Sequence, residues 1–193
     1  NISGYGFVKH RPAKRGSHGA SAKQLLIQMR MTMAGNFIAN YKNLACHYYG
    51  KRRGLKSPYN QAMKNIMDHF VLNYDTNSIV PNYHEIGITK GNLLGIYGPS
   101  VAVANPYEVT LSWMNTGNVP ADRGADLLQV VMSVDQSFAT YYVENAAERQ
   151  DLTVTVVTPP EFSGKQVHVW MAFVDPVQKI ACNSVYMGEV AVL

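Results

Sequence analysis

The first 67 residues of this chain contain no acidic side chain. Between Asn1 and Met67 there are twelve Lys and Arg and no Asp or Glu, whereas Asp68 to Leu193 holds five basic and thirteen acidic residues. The formal charge is about +12 followed by about −8, a division that the net +4 conceals. Two parts so different in charge occupy different electrostatic surroundings. The basic part faces a polyanion, an acidic partner, or the acidic part of a neighbouring copy. Cysteine is scarce: Cys46 and Cys182 are the only two. They sit in segments of different character, and a bridge needs close Cβ atoms and an oxidising compartment. Two buried free thiols are the expectation, with a disulfide as the alternative. No run of eighteen apolar residues exists, which excludes a transmembrane helix. No signal peptide is visible, and a start at Asn1 in place of Met points to upstream processing or truncation. A charged share of 16% against 47% hydrophobic is ordinary for a globular chain and argues against disorder throughout. The 193 residues allow one domain, or one domain with a substantial extension.

Motifs of catalysis and metal binding are also lacking. The six histidines show no HExxH or closed metal-ligand spacing. Cys46 and His47 are adjacent, and neighbouring helical residues point apart. Ser163-Gly164 reads as a turn, and there is no GxSxG elbow or paired-carboxylate motif. Gly91, Gly95 and Gly98 precede no helix and so form no phosphate loop. His168 lies on a strand, facing away from Val167 and Val169, as a surface or satisfied side chain. The expectation is a non-enzymatic protein with no cofactor and no metal.

Three segments are present. Residues 1–20 read as an extended basic arm, with four glycines, Lys9, Arg11, Lys14 and Arg15, and Tyr5, Phe7 and Val8 as anchors. Residues 21–76 read as a helical segment. Ser21 to Gln24 fits a capping box. Leu26, Met29, Met33, Phe37, Tyr41 and Leu44 recur at helical spacing, with a kink or break expected at Gly35-Asn36. The basic loop Lys51, Arg52, Arg53 and Lys56 follows. Ser57-Pro58 then opens a second helix with Tyr59, Met63, Ile66 and Phe70 on its apolar face.

From residue 77 to 193 the hydrophobic period becomes two. The strands expected are His84–Lys90, Val101–Ala104, Tyr107–Trp113, Leu127–Val134, Phe138–Val143, Leu152–Val157, Gln166–Val174 and Ser184–Val192. About eight short antiparallel strands in about 110 residues are the signature of a β-sandwich. The fold class is thus α+β, with a basic arm and two helices ahead of an antiparallel sandwich.

The stretch Val167-His-Val-Trp-Met-Ala-Phe-Val174, followed by Asn183-Ser-Val-Tyr-Met-Gly-Glu-Val190, resembles the closing signature of a family described only as a domain of unknown function, found mainly in Bacteroidota. Val8-Lys-His-Arg-Pro12, Ala22-Lys-Gln24, Ile88-Thr-Lys-Gly-Asn-Leu93 and Leu111-Ser-Trp113 extend the resemblance over almost the whole chain. It implies a helical N-terminal segment joined to an immunoglobulin-like β domain, and it implies no activity. Members usually carry a glycine-rich stretch ahead of the arm, and this chain begins inside or just after it.

The resulting expectation is a structural or adhesion-type protein of filament, surface or appendage kind, located outside the cell or on its surface. Its arm and helices dock head-to-tail on the acidic face of the next copy, at Asp122, Asp126, Asp135, Glu144, Glu148 and Asp151. Such a heterologous contact gives rings or open filaments. The alternative is a nucleic-acid-associated or virion protein, in a virion or the cytoplasm. Its arm and basic loop neutralise phosphate while Tyr5, Phe7, Tyr48 and Tyr49 stack on bases. A third is a soluble ligand-binding module with an incidental charge split.

Overall fold

A computed structural model describes residues 19–115 and 120–193. Helix α1 spans Ala22–Ala39. Its start is the expected capping box: Gln24 N donates to Ser21 Oγ at 3.3 Å, and Ser21 N donates to Gln24 Oε1 at 3.0 Å. The helix runs unbroken through Gly35-Asn36. A mid-helix glycine costs roughly 1 kcal/mol, and burial of Ala34, Phe37 and Ile38 around it outweighs that. The break falls instead at Asn40-Tyr41. Leu44 therefore belongs to a separate helix, α2 (Lys42–Tyr48), and α3 (Pro58–His69) makes three α-helices among the described residues where two were expected. Ser57 caps α3 by accepting from Asn60 N at 3.1 Å, with Pro58 at the first position.

A hairpin of β1 (Phe70–Asn73) and β2 (Ser78–Pro81) follows. The expected boundary between residues 76 and 77 cuts through its turn. Asn73 Oδ1 holds that turn by accepting from the N–H groups of Asp75 and Thr76 at 3.0 and 3.1 Å. The expected strand His84–Lys90 is absent. A 3₁₀ turn covers Tyr83–Glu85, and an irregular run follows it. Its backbone is satisfied one group at a time: Ile88 N donates to Ser184 Oγ at 2.9 Å and Lys90 N to Tyr48 O at 2.9 Å.

The β body is a sandwich of two antiparallel sheets. One holds β3 (Tyr97–Ala102), β4 (Glu108–Met114) and β7 (Thr153–Val157), in the order β3-β4-β7. The other is built from β5 (Leu127–Val134), β6 (Thr140–Val143), β8 (Gln166–Asp175) and β10 (Val185–Ala191), in the order β10-β8-β5-β6, with β9 (Ile180–Ala181) on β8.

Strand β8 is buried on both faces. Val167, Val169, Met171 and Phe173 meet the other sheet, where Phe173 packs edge-on against Trp113 at 5.4 Å. The alternate residues His168 and Trp170 meet the helical side. Trp170 lies 5.8 Å from the Phe37 ring, and His168 stacks on Tyr83 at 3.8 Å. Covering both faces makes the interior positions mostly apolar, and the Trp170 indole N–H is buried without a hydrogen-bond partner among the described residues. The helices are thus a third layer over β8 and β5. Phe37, Ile66 and Phe70 share one continuous core with Trp170 and Val131. Thr140 Oγ1 donates to Phe37 O at 2.9 Å inside this joint. The residue ranges 21–76 and 77–193 therefore contribute to a single core.

Candidate functional site

Among the described residues, four cations without an ion pair, Lys51, Arg53, Lys90 and Lys179, gather where the helical layer meets the end of the sandwich. Three segments far apart in sequence are tied together there. Gly50 N donates to Lys90 O at 2.6 Å, forming a parallel bridge between Tyr49 and Lys90. Leu93 N donates to Ala181 O at 3.0 Å, and Gly91 N to Asn183 Oδ1 at 3.2 Å. Gly91 allows this approach, since a Cβ there would sit 2.1 Å from Ala181 O.

The result is a groove of about 480 Å³ lined by Lys51, Arg53, Gln61, Lys90 and Asn183. It continues past Lys179 to His47 and Tyr48. Beyond them is a cavity of about 260 Å³ beneath α2, where Tyr142 donates to buried Gln129 at 2.6 Å and Glu144 lies at the rim. Burial pushes the Tyr142 hydroxyl well above its ordinary value, with Glu144 adding to the shift, so it stays a donor.

Among the described residues, no ion pair engages Lys51, Arg53, Lys90 or Lys179. Of the expected basic loop, Lys51 and Arg53 reach the groove. Arg52 turns away to donate to Gly54 O at 3.1 Å. Lys56 closes the loop by exchanging backbone hydrogen bonds with Arg53 at 3.1 and 3.0 Å. The arm residues Tyr5, Phe7, Val8, Lys9, Arg11, Lys14 and Arg15 lie outside the described residues.

Of the six acids expected to form one docking surface, Asp122, Asp126, Glu148 and Asp151 are gathered at the start of β5, where Leu127 bridges Glu148 and Arg149 N donates to Asp126 O at 2.9 Å. Asp126 is buried and accepts from Arg149 Nε at 3.0 Å. Burial pushes its carboxyl above the usual range, against the pull of Arg149. Asp135 follows the far end of β5 and pairs with His168 at 3.3 Å. An eight-residue strand, about 26 Å long, separates it from Asp126. Asp122 pairs with Arg123 at 3.1 Å. Asp151 accepts from Glu148 N at 2.8 Å, and Glu148 from Gln150 at 2.6 Å. Local sequence held no sign of the burial of Asp126 or of the separate position of Asp135, because Arg149 and His168 reach them from distant segments.

Arg149, read in sequence as part of a polar turn, is 1% exposed and ties that turn to the sandwich. Nη1 and Nη2 donate to Gly95 O and Leu94 O at 2.9 and 2.8 Å, and the guanidinium lies 4.0 Å from the Phe173 ring centroid. The same turn receives the Trp113 indole N–H on Arg149 O at 2.7 Å. Arg123 bridges Asp126 and Asp175 at 3.5 and 2.9 Å.

The side chains weighed for nucleophilic chemistry have unrelated partners. His47 Nδ1 contacts Asn43 O at 2.9 Å, and His168 Nδ1 contacts the Tyr186 hydroxyl at 2.8 Å. Cys46 and Cys182 are both free: Cys182 is buried as expected, and Cys46 is only half-buried. Among the described residues no cluster of three His, Cys, Asp or Glu is placed to hold a metal, and no helix is long and apolar enough to cross a membrane.

A second surface stands out on α1. Its first half exposes Leu25, Ile27, Met29 and Met31 by 54, 43, 40 and 61%. The expected face placed Met29 inward and left Leu25, Ile27 and Met31 unassigned. Apolar side chains in fact emerge on several sides of this half of the helix, interleaved with Lys23, Gln24, Gln28 and Arg30.

No curated protein matches the chain. Among solved structures, the FN1–FN3 domains of chicken CNTN1 superpose with a TM-score of 0.36 at 14% identity, over 50% of this chain and 29% of that one. The fn3 domain of human collagen alpha-1(XX) gives 0.36 at 10% identity, over 51% of this chain and 84% of that one. Residues 30–188 match the family of unknown function DUF6266, and the chain belongs to that family.

Proposed function

We propose that this protein is a non-enzymatic structural protein that acts by self-assembly, with α1 and the basic arm of one copy docking on the acidic β-sandwich of the next. The observation that carries this reading is the exposed first half of α1. A cluster of exposed large apolar side chains on a helix marks a surface that another surface covers. Each of Leu25, Ile27, Met29 and Met31 is about half exposed, so covering them recovers about 1 kcal/mol apiece. The basic arm leads directly into this half of the helix, and the division of charge along the chain sets the direction of docking. Exposed ion pairs contribute about 0–1 kcal/mol each, so charge governs rate and orientation while apolar burial holds the contact. The contact is heterologous and propagates into rings or filaments of surface or appendage type.

Sedimentation velocity of the intact chain tests this against Leu25→Glu combined with Met31→Glu. Both positions are exposed, so the variant keeps its fold by circular dichroism. The parent chain is expected to sediment as an assembly and the variant as a monomer. A monomeric parent at every concentration, or a variant that assembles equally well, overturns the reading.

A further inference from the structure

We propose that the basic groove at the helix–sandwich seam binds single-stranded nucleic acid along its phosphate backbone. The inference is independent of self-assembly, because the groove and the exposed half of α1 are separate surfaces built from different residues.

Position is the first argument. Lys51, Lys90 and Lys179 come from three distant segments that backbone hydrogen bonds lock side by side, with Arg53 beside them. A solvated charge run on one helix face or one loop needs no such construction. The second argument is electrostatic. None of these four cations is ion-paired among the described residues, and no carboxylate lines either stretch of the groove that they border. By contrast, Arg123 and Arg149, in the same acidic part of the chain as Lys90 and Lys179, are each paired with an acid. Four unneutralised cations around an open cleft concentrate a polyanion there.

The third argument separates a nucleic acid from other polyanions. Along the groove from the cations lie the rings of His47 and Tyr48, with centroids 6.3 Å apart. Tyr48 is half-buried and His47 exposed, so a base has a ring edge or face to meet beside the charged stretch. A cationic track with adjoining aromatic rings is the arrangement that holds single strands without sequence preference. A sulfated polysaccharide or an acidic peptide makes no use of the rings.

The test is fluorescence anisotropy of a labelled oligothymidylate with the intact chain. It is run in the Leu25→Glu, Met31→Glu background so that assembly does not contribute. Four phosphate contacts predict a slope of log affinity against log salt of about −2.8, and two predict about −1.4. Lys90→Glu combined with Lys179→Glu is expected to weaken binding at least about tenfold and to roughly halve that slope. Both residues are exposed, and circular dichroism confirms the fold. Arg52→Glu, whose side chain turns away from the groove, leaves affinity within about threefold, a change worth less than the tenfold step of 1.4 kcal/mol. Inorganic polyphosphate and polyglutamate serve as competitors and are expected to displace the oligonucleotide only at large excess. Absence of binding at low salt overturns the proposal. So does retention of affinity and slope in the double variant, which would move binding to residues 1–18. Competition by polyphosphate or polyglutamate at equal charge concentration also overturns it, by making the groove a general polyanion site.

Discussion

Replacing Arg149 by methionine is predicted to destabilise the fold by about 4 kcal/mol. The substitution keeps an unbranched side chain of similar length and removes the charge. It leaves Asp126 buried with only Arg123 at 3.5 Å, and it leaves Leu94 O and Gly95 O without their donors. Breaking a buried ion pair from one side costs about 3–5 kcal/mol. An orphaned buried acceptor costs about 1–3 kcal/mol, although water can reach Leu94 and Gly95 at the rim of the sandwich. The methionine sulfur retains a contact with the Phe173 ring worth about 1 kcal/mol. These terms overlap and do not add. For a domain of this size, about 4 kcal/mol lowers the melting temperature by about 8–16 °C. Urea unfolding followed by tryptophan fluorescence measures the effect, as a lower midpoint with an unchanged slope. Adding Asp126→Leu to Arg149→Met is expected to restore about half of the loss, because no unpaired charge is then buried. The exposed Arg52→Met is expected to stay within about 0.5 kcal/mol of the parent. A loss below about 1 kcal/mol for Arg149→Met would refute the idea that the guanidinium pins the turn to the sandwich.

The remaining predictions concern titration and reactivity. The N–H of Gln178, with the Arg123 guanidinium and the N–H of Val177, holds the Asp175 carboxyl below its ordinary value. Its contribution is complete above about pH 4 and is lost as pH falls through the lowered value. Asp175→Asn should therefore flatten the acid limb of a stability–pH curve and leave its neutral region parallel to the parent's; an unchanged acid limb contradicts this. Burial raises the Cys182 thiol, while Cys46 is half-buried on α2. A thiol reagent should label Cys46 in the native state and reach Cys182 only on unfolding, so rapid labelling of two thiols would show that the core around Phe173 opens.

Elements with local chemistry at both ends were legible in the sequence. The strand Leu127–Val134 coincides with β5, and the Ser21 and Ser57 caps start α1 and α3 as expected. Each is specified by neighbours within a few residues. The failures are tertiary. Gly35-Asn36 did not break α1 because the core beneath Phe37 and Ile38 overrode local propensity. His84–Lys90 has strand-like residues but no strand beside it to pair with. The interior alternation of β8 was read from Val167, Val169, Met171 and Phe173. Burial of Trp170 and His168 depended on Phe37 of α1 and on Tyr83, contributed by segments far earlier in the chain.

The same holds for the charged groups. The basic run 51–56 was visible, but its partners Lys90 and Lys179 are single lysines in an acidic half, and only the seam brings them to it. Asp126 was indistinguishable in sequence from its exposed neighbours. Its burial follows from contact with Arg149, itself hidden in a segment that reads as a polar turn.

The central claim is that the first half of α1 is covered by another copy. Amide hydrogen exchange of the intact chain, measured above and below the concentration at which it assembles, tests this most directly. Residues 22–33 are expected to exchange slowly in the assembly and fast on dilution, while β5 and β8 stay protected in both. Exchange across residues 22–33 that is equally fast in both states would contradict the account.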